Sequence, residues 1–434
     1  MPSTWPNEHV DFLRAPAAAA RAALTGLAAA GPATRAPRLA RCGVVARALL
    51  MALLCLALVP LAQAAPRIGV ATMQPGEIFF ERFGHNAIVV EDPALPEPVS
   101  YNFGFFDMEE PDFVARFVRG DMRYRLVALP LSRDLAYYRE VGRGVSIQWL
   151  DLAPAQARAL AAALEENARP ENAYYRYEYF TDNCSTRVRD ALDAALGGAL
   201  ERQLSGRSRG NSFRGDAVRL ASPAPWMSLG FDLGLGPAAD RPNSLWQEAF
   251  VPMRLADVLT RVELDDGRPL VAATEQLLPH RLAPEPPETR RAWWPWLLAG
   301  LALLAAIRIA GRRRPRLLAG LSLGFWILCS ALGAVMLFLW MGTAHRFAWG
   351  NHNLLLFSPL CLLLLPGGWR IARGRAPGVL FRILAWTVVA CTVVALFLHL
   401  LPVLPQRNAH WIALMLPLHF ALAWTLAPPA RTAD

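Results

Sequence analysis

Residues 293–316 read WWPWLLAGLALLAAIRIAGRRRPR, an apolar run that ends in a cluster of arginines. A helix needs about 20 apolar residues to cross the hydrocarbon core of a bilayer. Four similar runs follow, so that the apolar segments are roughly 293–310, 317–341, 354–369, 379–403 and 411–427. The pattern predicts an all-α transmembrane domain of five helices over residues 292–428.

The arginines between these runs predict the orientation of the helices. Loop 311–316 contains four of them, and three more lie at 370–375, before the fourth run. Loops rich in Lys and Arg stay on the cytoplasmic side of a membrane. We therefore expect residues 342–353 and 404–410 on the outer side and the C-terminus in the cytoplasm.

The N-terminal part of the chain has the features of an export signal. An apolar run at 48–61 follows several arginines and precedes the small-x-small pattern of residues 62–64. These features are typical of a secretory signal peptide, which we place at residues 44–65. Because about 14 apolar residues are few for a membrane span, cleavage is favoured over anchoring. Residues 1–43, rich in Ala, Arg and Pro, are predicted to be disordered or a misassigned start.

The composition argues against a soluble protein and against a nucleic-acid-binding one. Only 18% of the residues are charged and 54% are hydrophobic, whereas soluble domains carry about 25% charged residues. The net charge of +9 comes from arginine alone, since the chain contains no lysine. These arginines cluster beside apolar runs, where they indicate membrane topology. We therefore predict a multi-pass protein of the inner (cytoplasmic) membrane with residues 66–291 in the periplasm, and no nucleic-acid partner.

Residues 66–291 mix polar and apolar patterns and predict one α+β domain. Strand-like segments lie at 87–90, 101–105, 124–129 and 145–150, and helical patterns lie at 154–167 and 184–196. The two types lack the regular alternation of a parallel sheet, which favours the α+β class. The stretch 205–244 is rich in Gly, Ser, Pro and Arg and is predicted to be mostly loop.

Cys184 is the only cysteine of the predicted exported domain, since Cys42 and Cys55 lie in the leader and the other three lie in apolar runs. Without a disulfide partner, it is either an inert buried thiol or a nucleophile. Asp182 or Asn183 is a suitable N-cap, which puts Cys184 in the first turn of a helix. Because backbone N–H groups stabilise a thiolate there, we predict a reactive nucleophile with a lowered pKa.

A thiolate nucleophile needs a general base, and residues 66–291 contain two histidines. His280 lies in the polar segment that leads to the membrane and is predicted to be a solvated loop residue. His85 opens a strand and is the predicted base. Asn102, at the start of the next strand, is the candidate that orients the imidazole, with Asp107 and Glu91 as alternatives.

The sequence carries no pattern for a bound metal or cofactor. The exported domain lacks a second cysteine and a histidine pair at ligand spacing, which argues against zinc. It also lacks a Walker loop and a dinucleotide fingerprint. We therefore predict neither a metal nor a cofactor.

Further side chains are predicted to support the site or to contact the substrate. The aromatic segment 174–180 fits an ordinary strand, or alternatively a wall for an acyl chain. Polar residues of the outer loops lie at the interface because of their polarity, or alternatively they contact phospholipid headgroups. The supporting candidates are Asn86, Asp182, Asn183, Tyr101, Tyr179, Arg187, His352 and Asn353.

Three strings of the exported domain carry a resemblance to a known family: ERFGHNAIVV (81–90), YNFG (101–104) and YRYEYFTDNCSTRVRD (175–190). Together with the late membrane bundle they resemble the Lnb family over residues 66–425. That family includes the lipoprotein N-acyltransferase of Bacteroides-type bacteria. The resemblance implies a thiol acyl-enzyme, with the motif histidine and cysteine at His85 and Cys184.

The order of the two motifs is also similar to that of circularly permuted papain-like NlpC/P60 proteins. That wider group includes lecithin:retinol acyltransferase-like enzymes, which take acyl chains from phospholipids. The resemblance therefore implies a permuted papain-like fold for the periplasmic domain.

Three functions are compatible with these observations. The first is a thiol acyltransferase that moves an acyl chain from a phospholipid to the α-amino group of a diacylglyceryl-cysteine lipoprotein. The second is a cysteine peptidase or amidase acting on cell-wall peptides, for which one membrane anchor would be enough. The third is a non-enzymatic envelope module, in which replacing Cys184 would have no effect.

Overall fold

The computed structural model describes residues 64–289, 291–402 and 404–428. The predicted disordered start, and all but the last two residues of the predicted signal peptide, lie outside the described residues. The periplasmic part is built on one antiparallel sheet, whose spatial order is β6-β4-β3-β2-β1-β5-β7. The strands are β1 (Arg67–Met73), β2 (His85–Glu91), β3 (Val99–Phe105), β4 (Arg123–Pro130), β5 (Val145–Leu150), β6 (Tyr174–Arg176) and β7 (Val271–Leu278).

The four segments predicted as strands lie within β2, β3, β4 and β5, but two other strands were not predicted. β1 is buried at six of its seven positions, so it lacks the apolar–polar alternation of a half-buried strand. β7 lies at one edge of the sheet and is mostly exposed. Its polar residues resemble those of a loop, because only one of its sides is paired.

Helices cover both faces of the sheet, which makes the domain α+β as predicted. They are α1 (Phe113–Arg119), α2 (Leu131–Glu140), α3 (Pro154–Asn167), α4 (Cys184–Ala195), α5 (Ala199–Leu204), α6 (Phe213–Leu220), α7 (Pro225–Gly234), α8 (Leu245–Glu248) and α9 (Pro252–Leu259). α3 and α4 begin where the sequence pattern predicts them. Short 3-10 turns lie at Phe79–Glu81 and Pro237–Asp240.

The prediction of a loop at 205–244 is wrong, because α6 and α7 lie within it. The polar and small residues that suggested a loop instead mark helix ends. Ser212 accepts a hydrogen bond from the Gly215 N–H and so caps α6, and Pro225 opens α7, where a missing N–H costs nothing. Phe213 and Leu220 are buried on one side of α6.

The two faces of the sheet pack against different helices. One face joins Ile88 and its neighbours to α3, α4 and α9 in a single apolar core. The other face joins Ala87 and Val89 to Tyr138 of α2. Since neighbouring residues of a strand point to opposite faces, His85 belongs to the α2 face and Asn86 to the α4 face.

Five candidate membrane spans follow in the described part of the chain. Four are regular helices, α10 (Trp294–Arg313), α11 (Pro315–Met341), α13 (Val379–Leu400) and α14 (Ala409–Leu426). The third crossing, His352–Ala372, is broken into the 3-10 turns His352–Leu355 and Pro359–Leu364 and the helix α12 (Leu365–Ala372). Irregular backbone at membrane depth is stable only where protein surrounds it, and Leu356, Cys361 and Leu364 are buried accordingly.

The outer loops of the bundle pack directly on the periplasmic domain. The Gly236 N–H donates to the Phe347 carbonyl oxygen at 2.7 Å, and the Ala344 N–H donates to that of Arg119 at 2.8 Å. The Phe347 ring lies among the rings of Phe180 and Phe213. The domain is therefore joined to the membrane bundle by packed side chains as well as by its linker.

Candidate active site

Asn86 joins the start of α4 to the second strand of the sheet. The Ser185 hydroxyl donates to Oδ1 of Asn86 at 2.8 Å, and Nδ2 of Asn86 donates to Oγ1 of Thr72 at 2.9 Å. The backbone N–H of Asn86 lies close enough to the Cys184 sulfur to lower the pKa of the thiol. Because this N–H belongs to the peptide unit between His85 and Asn86, the sulfur lies beside the His85 backbone.

Cys184 is the first residue of α4, and Asn183 rather than Asp182 caps the helix. Oδ1 of Asn183 accepts from the Thr186 N–H at 2.9 Å, while Oγ1 of Thr186 accepts from the Asn183 N–H at 2.8 Å. This reciprocal pair is a capping box, which holds the first turn rigidly. The cap thus fixes the position of the Cys184 thiol.

Cys184 is a free cysteine, but its predicted low pKa is wrong. Burial raises the pKa of the thiol above its ordinary value. The backbone N–H groups of Asn86, Ser185 and Cys184, together with the charge of Arg143, act in the opposite direction without overcoming burial. The helix-start effect is therefore present, but desolvation of the thiolate is larger.

His85 is held in one tautomer by a chain of hydrogen bonds. Its Nε2 lies 3.0 Å from Oδ1 of Asn102, whose Nδ2 donates to Oδ2 of Asp134 at 2.7 Å and to Oγ of Ser100 at 3.0 Å. Because a carboxylate only accepts, the Asn102 amide must turn its oxygen toward the imidazole. Nε2 therefore carries the proton, and Nδ1 is left as the basic atom. We call His85, Asn102 and Asp134 the imidazole chain.

Asn102 and Asp134 are buried and His85 is partly buried, and this desolvation keeps His85 neutral. Burial lowers the pKa of His85 to about 4, and the Arg143 charge adds to this effect, while the Asn102 hydrogen bond opposes it. At neutral pH the imidazole is unprotonated and the thiol is protonated. The resting pair is therefore uncharged, and a proton must move from sulfur to Nδ1 before the sulfur can attack.

Asp134 belongs to this site, although the sequence did not single it out. It lies in α2 and is almost fully buried. Burial raises the pKa of its carboxyl group, and the hydrogen bonds from Ser100 and Asn102 oppose that shift. The sequence did contain an indication of this role. Asp134 lies on the same, apolar side of the helix as Leu131, Leu135 and Tyr138, and an acid buried there needs a hydrogen-bond partner.

Arg143 is a second functional candidate that the sequence did not reveal. It is buried, donates from Nε to the Gln74 carbonyl oxygen at 2.7 Å, and lies 3.3 Å from a carboxylate oxygen of Glu81. Its charge lowers the pKa of both His85 and Cys184. A fixed cation with these effects favours a thiolate and a neutral imidazole.

β3 approaches Cys184 closely through a bulge at Gly104. The register of β3 against β4 shifts between Asn102 and Phe105, and Gly104 has φ = +90°. A Cβ placed on Gly104 would lie 3.6 Å from Cβ of Cys184 and 3.7 Å from the Tyr175 hydroxyl. Glycine is suited to this conformation and to the close approach of the backbone.

The Tyr175 hydroxyl is buried and has no hydrogen-bond partner among the described residues. The Arg187 guanidinium lies 4.2 Å from the centre of the Tyr175 ring, and its NH2 donates to Oδ2 of Asp182 at 2.9 Å. An unpaired buried hydroxyl is costly, so this group is a candidate donor to a substrate. Asp182 and Arg187 lie behind the ring and hold it in place.

The remaining predicted residues lie away from the thiol or have other partners. Tyr101 packs in the apolar core that includes Ile88 and Val188, and burial raises its pKa to about 12. The Tyr179 hydroxyl forms a hydrogen bond with the His345 ring of the outer loop. These tyrosines therefore stabilise the core and the domain junction.

His352 and Asn353, for which headgroup contact is the alternative interpretation, have hydrogen-bond partners within the protein. Nδ2 of Asn353 donates to the Leu233 carbonyl oxygen at 3.1 Å, and the His352 N–H donates to Oε1 of Gln406 at 2.8 Å. Both residues are buried. Asn353 connects its loop to α7 and the His352 backbone connects the two outer loops to each other, because polar groups withdrawn from water require protein partners.

Away from Cys184, the described residues contain a large cleft and no cluster of metal ligands. No group of three His, Cys, Asp or Glu side chains in them is arranged to hold a metal ion. A cleft of about 720 Å³ is lined by Arg189, Trp246 and neighbouring residues, and includes neither His85 nor Cys184.

Comparison with known proteins identifies the family of the chain. Residues 65–218 match the family described as the Lnb N-terminal periplasmic domain, and residues 291–427 match the Lnb transmembrane domain. No curated protein and no solved structure matches the chain, so the similarity to permuted papain-like proteins stays a prediction. The two matched domains together cover about two thirds of the residues, and both are parts of one architecture. The chain belongs to the Lnb family, as a multi-pass membrane protein with a periplasmic domain.

Proposed function

We propose that this protein is a thiol acyltransferase of the inner membrane that acylates lipoproteins through a thioester at Cys184. Membership of the Lnb family supports a membrane-associated protein of lipoprotein processing with N-acyltransferase-like activity. The observation that carries the proposal is the meeting of a capped helix start with the imidazole chain. There the N–H beside His85 lies close enough to the Cys184 sulfur to lower the pKa of the thiol, and the His85 ring is held by Asn102.

In the first step, Nδ1 of His85 takes the thiol proton as the sulfur attacks an ester carbonyl of a phospholipid. A C–S bond forms and the C–O bond to glycerol breaks. The imidazolium returns its proton to the glycerol oxygen, so that a lysophospholipid leaves and the thioester remains. Arg143 favours the thiolate in this step, although burial keeps the resting thiol neutral.

In the second step, the free α-amino group of a diacylglyceryl-cysteine lipoprotein attacks the thioester. A C–N bond forms, the C–S bond breaks, and the amine proton passes through His85 to the sulfur. The product is an N-acylated lipoprotein and the free thiol. Both substrates are lipids, which gives the five membrane spans a role that anchoring alone does not require.

The oxyanion formed in each step needs donors at a fixed position. The Asn86 N–H and the first N–H groups of α4 are suited to this role, since they already lie close to the sulfur. The Tyr175 hydroxyl is the further donor that we propose, because it is buried, unpaired and next to Gly104.

The proposal is tested with purified protein in phospholipid vesicles that contain a diacylated lipopeptide, followed by mass spectrometry. We expect the lipopeptide to gain one acyl chain and Cys184 to gain a thioester. Cys184→Ala should abolish both products, whereas Cys391→Ala, a change of a free cysteine within a span, should leave both unchanged.

His85→Ala should slow thioester formation about 1,000-fold, the scale of a lost general base. If the lipopeptide returns unmodified while a cell-wall tetrapeptide is cleaved, the protein is a hydrolase instead. If Cys184→Ala loses no activity, the thiol mechanism is wrong.

A further inference from the structure

Five apolar side chains form an exposed patch on the periplasmic domain, which we call the entrance surface: Phe79, Val114, Val118, Trp226 and Leu229. Their exposed fractions run from 43% for Phe79 to 68% for Val114 and Trp226. Phe79 joins the two helices of the patch. Its ring stacks on Trp226 of α7 at 6.1 Å and meets the Phe117 ring of α1 at 6.5 Å.

The entrance surface lies where the domain meets the outer end of the membrane bundle. The end of α1 contacts the residues that follow span α11, since Nε2 of His345 lies 3.1 Å from the Phe117 carbonyl oxygen. The end of α7 is bound by Asn351, whose Nδ2 donates to the Leu233 carbonyl oxygen at 2.7 Å. Both helices are therefore fixed beside the bilayer surface.

The chemistry of this surface matches the interface of a membrane. Exposed apolar patches of this kind mark binding surfaces, and tryptophan is enriched at the level of the lipid headgroups. Arg119, at the end of α1, is exposed on the same helix as Val114 and Val118, where it can meet anionic headgroups. Because the entrance surface continues into the outer end of the membrane bundle, its expected partner is a lipid rather than a protein.

A row of aromatic rings leads from the entrance surface toward Cys184. Neighbouring ring centres are 4.4 to 6.5 Å apart. The row is Phe79, Phe117, Phe113, Phe106, Tyr124, Tyr177 and Tyr175. Its last member has its hydroxyl beside the Gly104 position that also faces Cys184. We call these seven residues the aromatic row.

We infer that the entrance surface dips into the outer leaflet and that a phospholipid acyl chain reaches Cys184 along the aromatic row. The inference rests on the proposed function, because it names the access route of the acyl donor. Val114 and Val118 would contact lipid directly, and the ring edges of the row, whose faces mostly stack on one another, would provide the apolar wall for the chain.

The test compares two acyl donors in the double variant Val114→Gln/Val118→Gln. One donor is a vesicle of phosphatidylethanolamine and phosphatidylglycerol, and the other is water-soluble p-nitrophenyl acetate. We expect thioester formation from vesicles to fall roughly tenfold, as apolar contact with lipid is lost. Formation from the soluble ester should stay within about twofold of the wild type, since it needs no lipid contact.

The variant Trp226→Gln should reproduce this pattern on the other helix of the patch. Leu95→Gln, at an exposed leucine of the loop between β2 and β3, should change neither rate. Equal loss with both donors, or no loss with vesicles, would overturn the inference. If the wild-type protein forms no thioester with either donor, the proposed function fails instead.

Discussion

Two buried aspartates of the periplasmic domain have opposite electrostatic surroundings. Oδ2 of Asp232 accepts hydrogen bonds from Arg291, His410 and Trp411 at 2.5, 2.8 and 2.9 Å. Although burial alone raises its pKa, His410 and the cations bring it below the ordinary value. Asp134 accepts hydrogen bonds from neutral donors, and burial leaves its pKa raised although the Arg133 charge opposes the shift.

This difference in surroundings indicates that Asp232 is a structural anchor and Asp134 a positioning group. A charged carboxylate with several donors and a cation is held strongly, so Asp232 fixes α7 to the membrane bundle. A carboxylate with neutral partners mainly dictates which way an amide faces, so Asp134 acts through Asn102 on His85. The same residue type thus stabilises the junction in one place and sets a tautomer in the other.

The largest expected effect tests the anchor. Asp232→Asn should reduce the free energy of unfolding by about 3 kcal/mol, because buried donors lose their charged acceptor. The measurement is thermal unfolding of the detergent-solubilised protein. Asp134→Asn is the matched control and should cost distinctly less. If the two variants lose the same stability, the distinction between Asp232 as an anchor and Asp134 as a positioning group is wrong.

The next effect concerns the unpaired hydroxyl near the thiol. Tyr175→Phe should slow thioester formation about 100-fold, the loss typical of one oxyanion donor. Stability should be unchanged or slightly higher, because the hydroxyl has no partner to lose. If the variant forms the thioester at the wild-type rate, Tyr175 is not an oxyanion donor.

A smaller effect is expected at the positioning group. Asp134→Asn should lower the turnover rate about tenfold. An amide at position 134 can donate as well as accept, so Oδ1 of Asn102 is no longer forced to face His85 and the tautomer of His85 is no longer fixed. The KM for lipid should not change. Asp232→Asn serves as the control, since the rate per folded molecule should stay normal there. A changed KM with normal turnover would argue against positioning.

The pH profile sharpens the same comparison without a substitution. Because only the neutral imidazole can take a proton and burial lowers the pKa of His85 to about 4, thioester formation should stay level from pH 8 to 5. It should fall only near pH 4. Alkylation of Cys184 by iodoacetamide should keep rising through pH 9, since burial raises the thiol pKa. A fall near pH 6.5 would indicate an exposed histidine.

The sequence was sufficient for the parts of the site that depend on local pattern. Asn183 precedes a helix whose apolar positions repeat every four residues, and it does cap the helix that starts at Cys184. His85 opens β2, Asn102 lies in the middle of the neighbouring strand β3, and their side chains meet between the two strands. Each of these features is visible within a few residues of the chain.

What the sequence did not reveal depends on burial and on distant contacts. Asp134 is 32 residues from Asn102, and only the packing of α2 on the sheet brings them together. The thiol pKa follows from desolvation, which no short segment encodes. Likewise, His352 and Asn353 suggested headgroup contacts because their fold partners, Leu233 and Gln406, are far away in sequence.

The hydrogen bond between Tyr179 and His345 also limits how far the reaction lies from the membrane. Tyr179 is five residues before Cys184, and an extended chain spans about 3.5 Å per residue. The Cα of Cys184 therefore lies within roughly 18 Å of the Cα of Tyr179, whose hydroxyl binds the residue four positions after the end of span α11. The thiol is thus held near the outer end of the bundle, where a donor lipid can present its ester while the far ends of its chains stay in the bilayer.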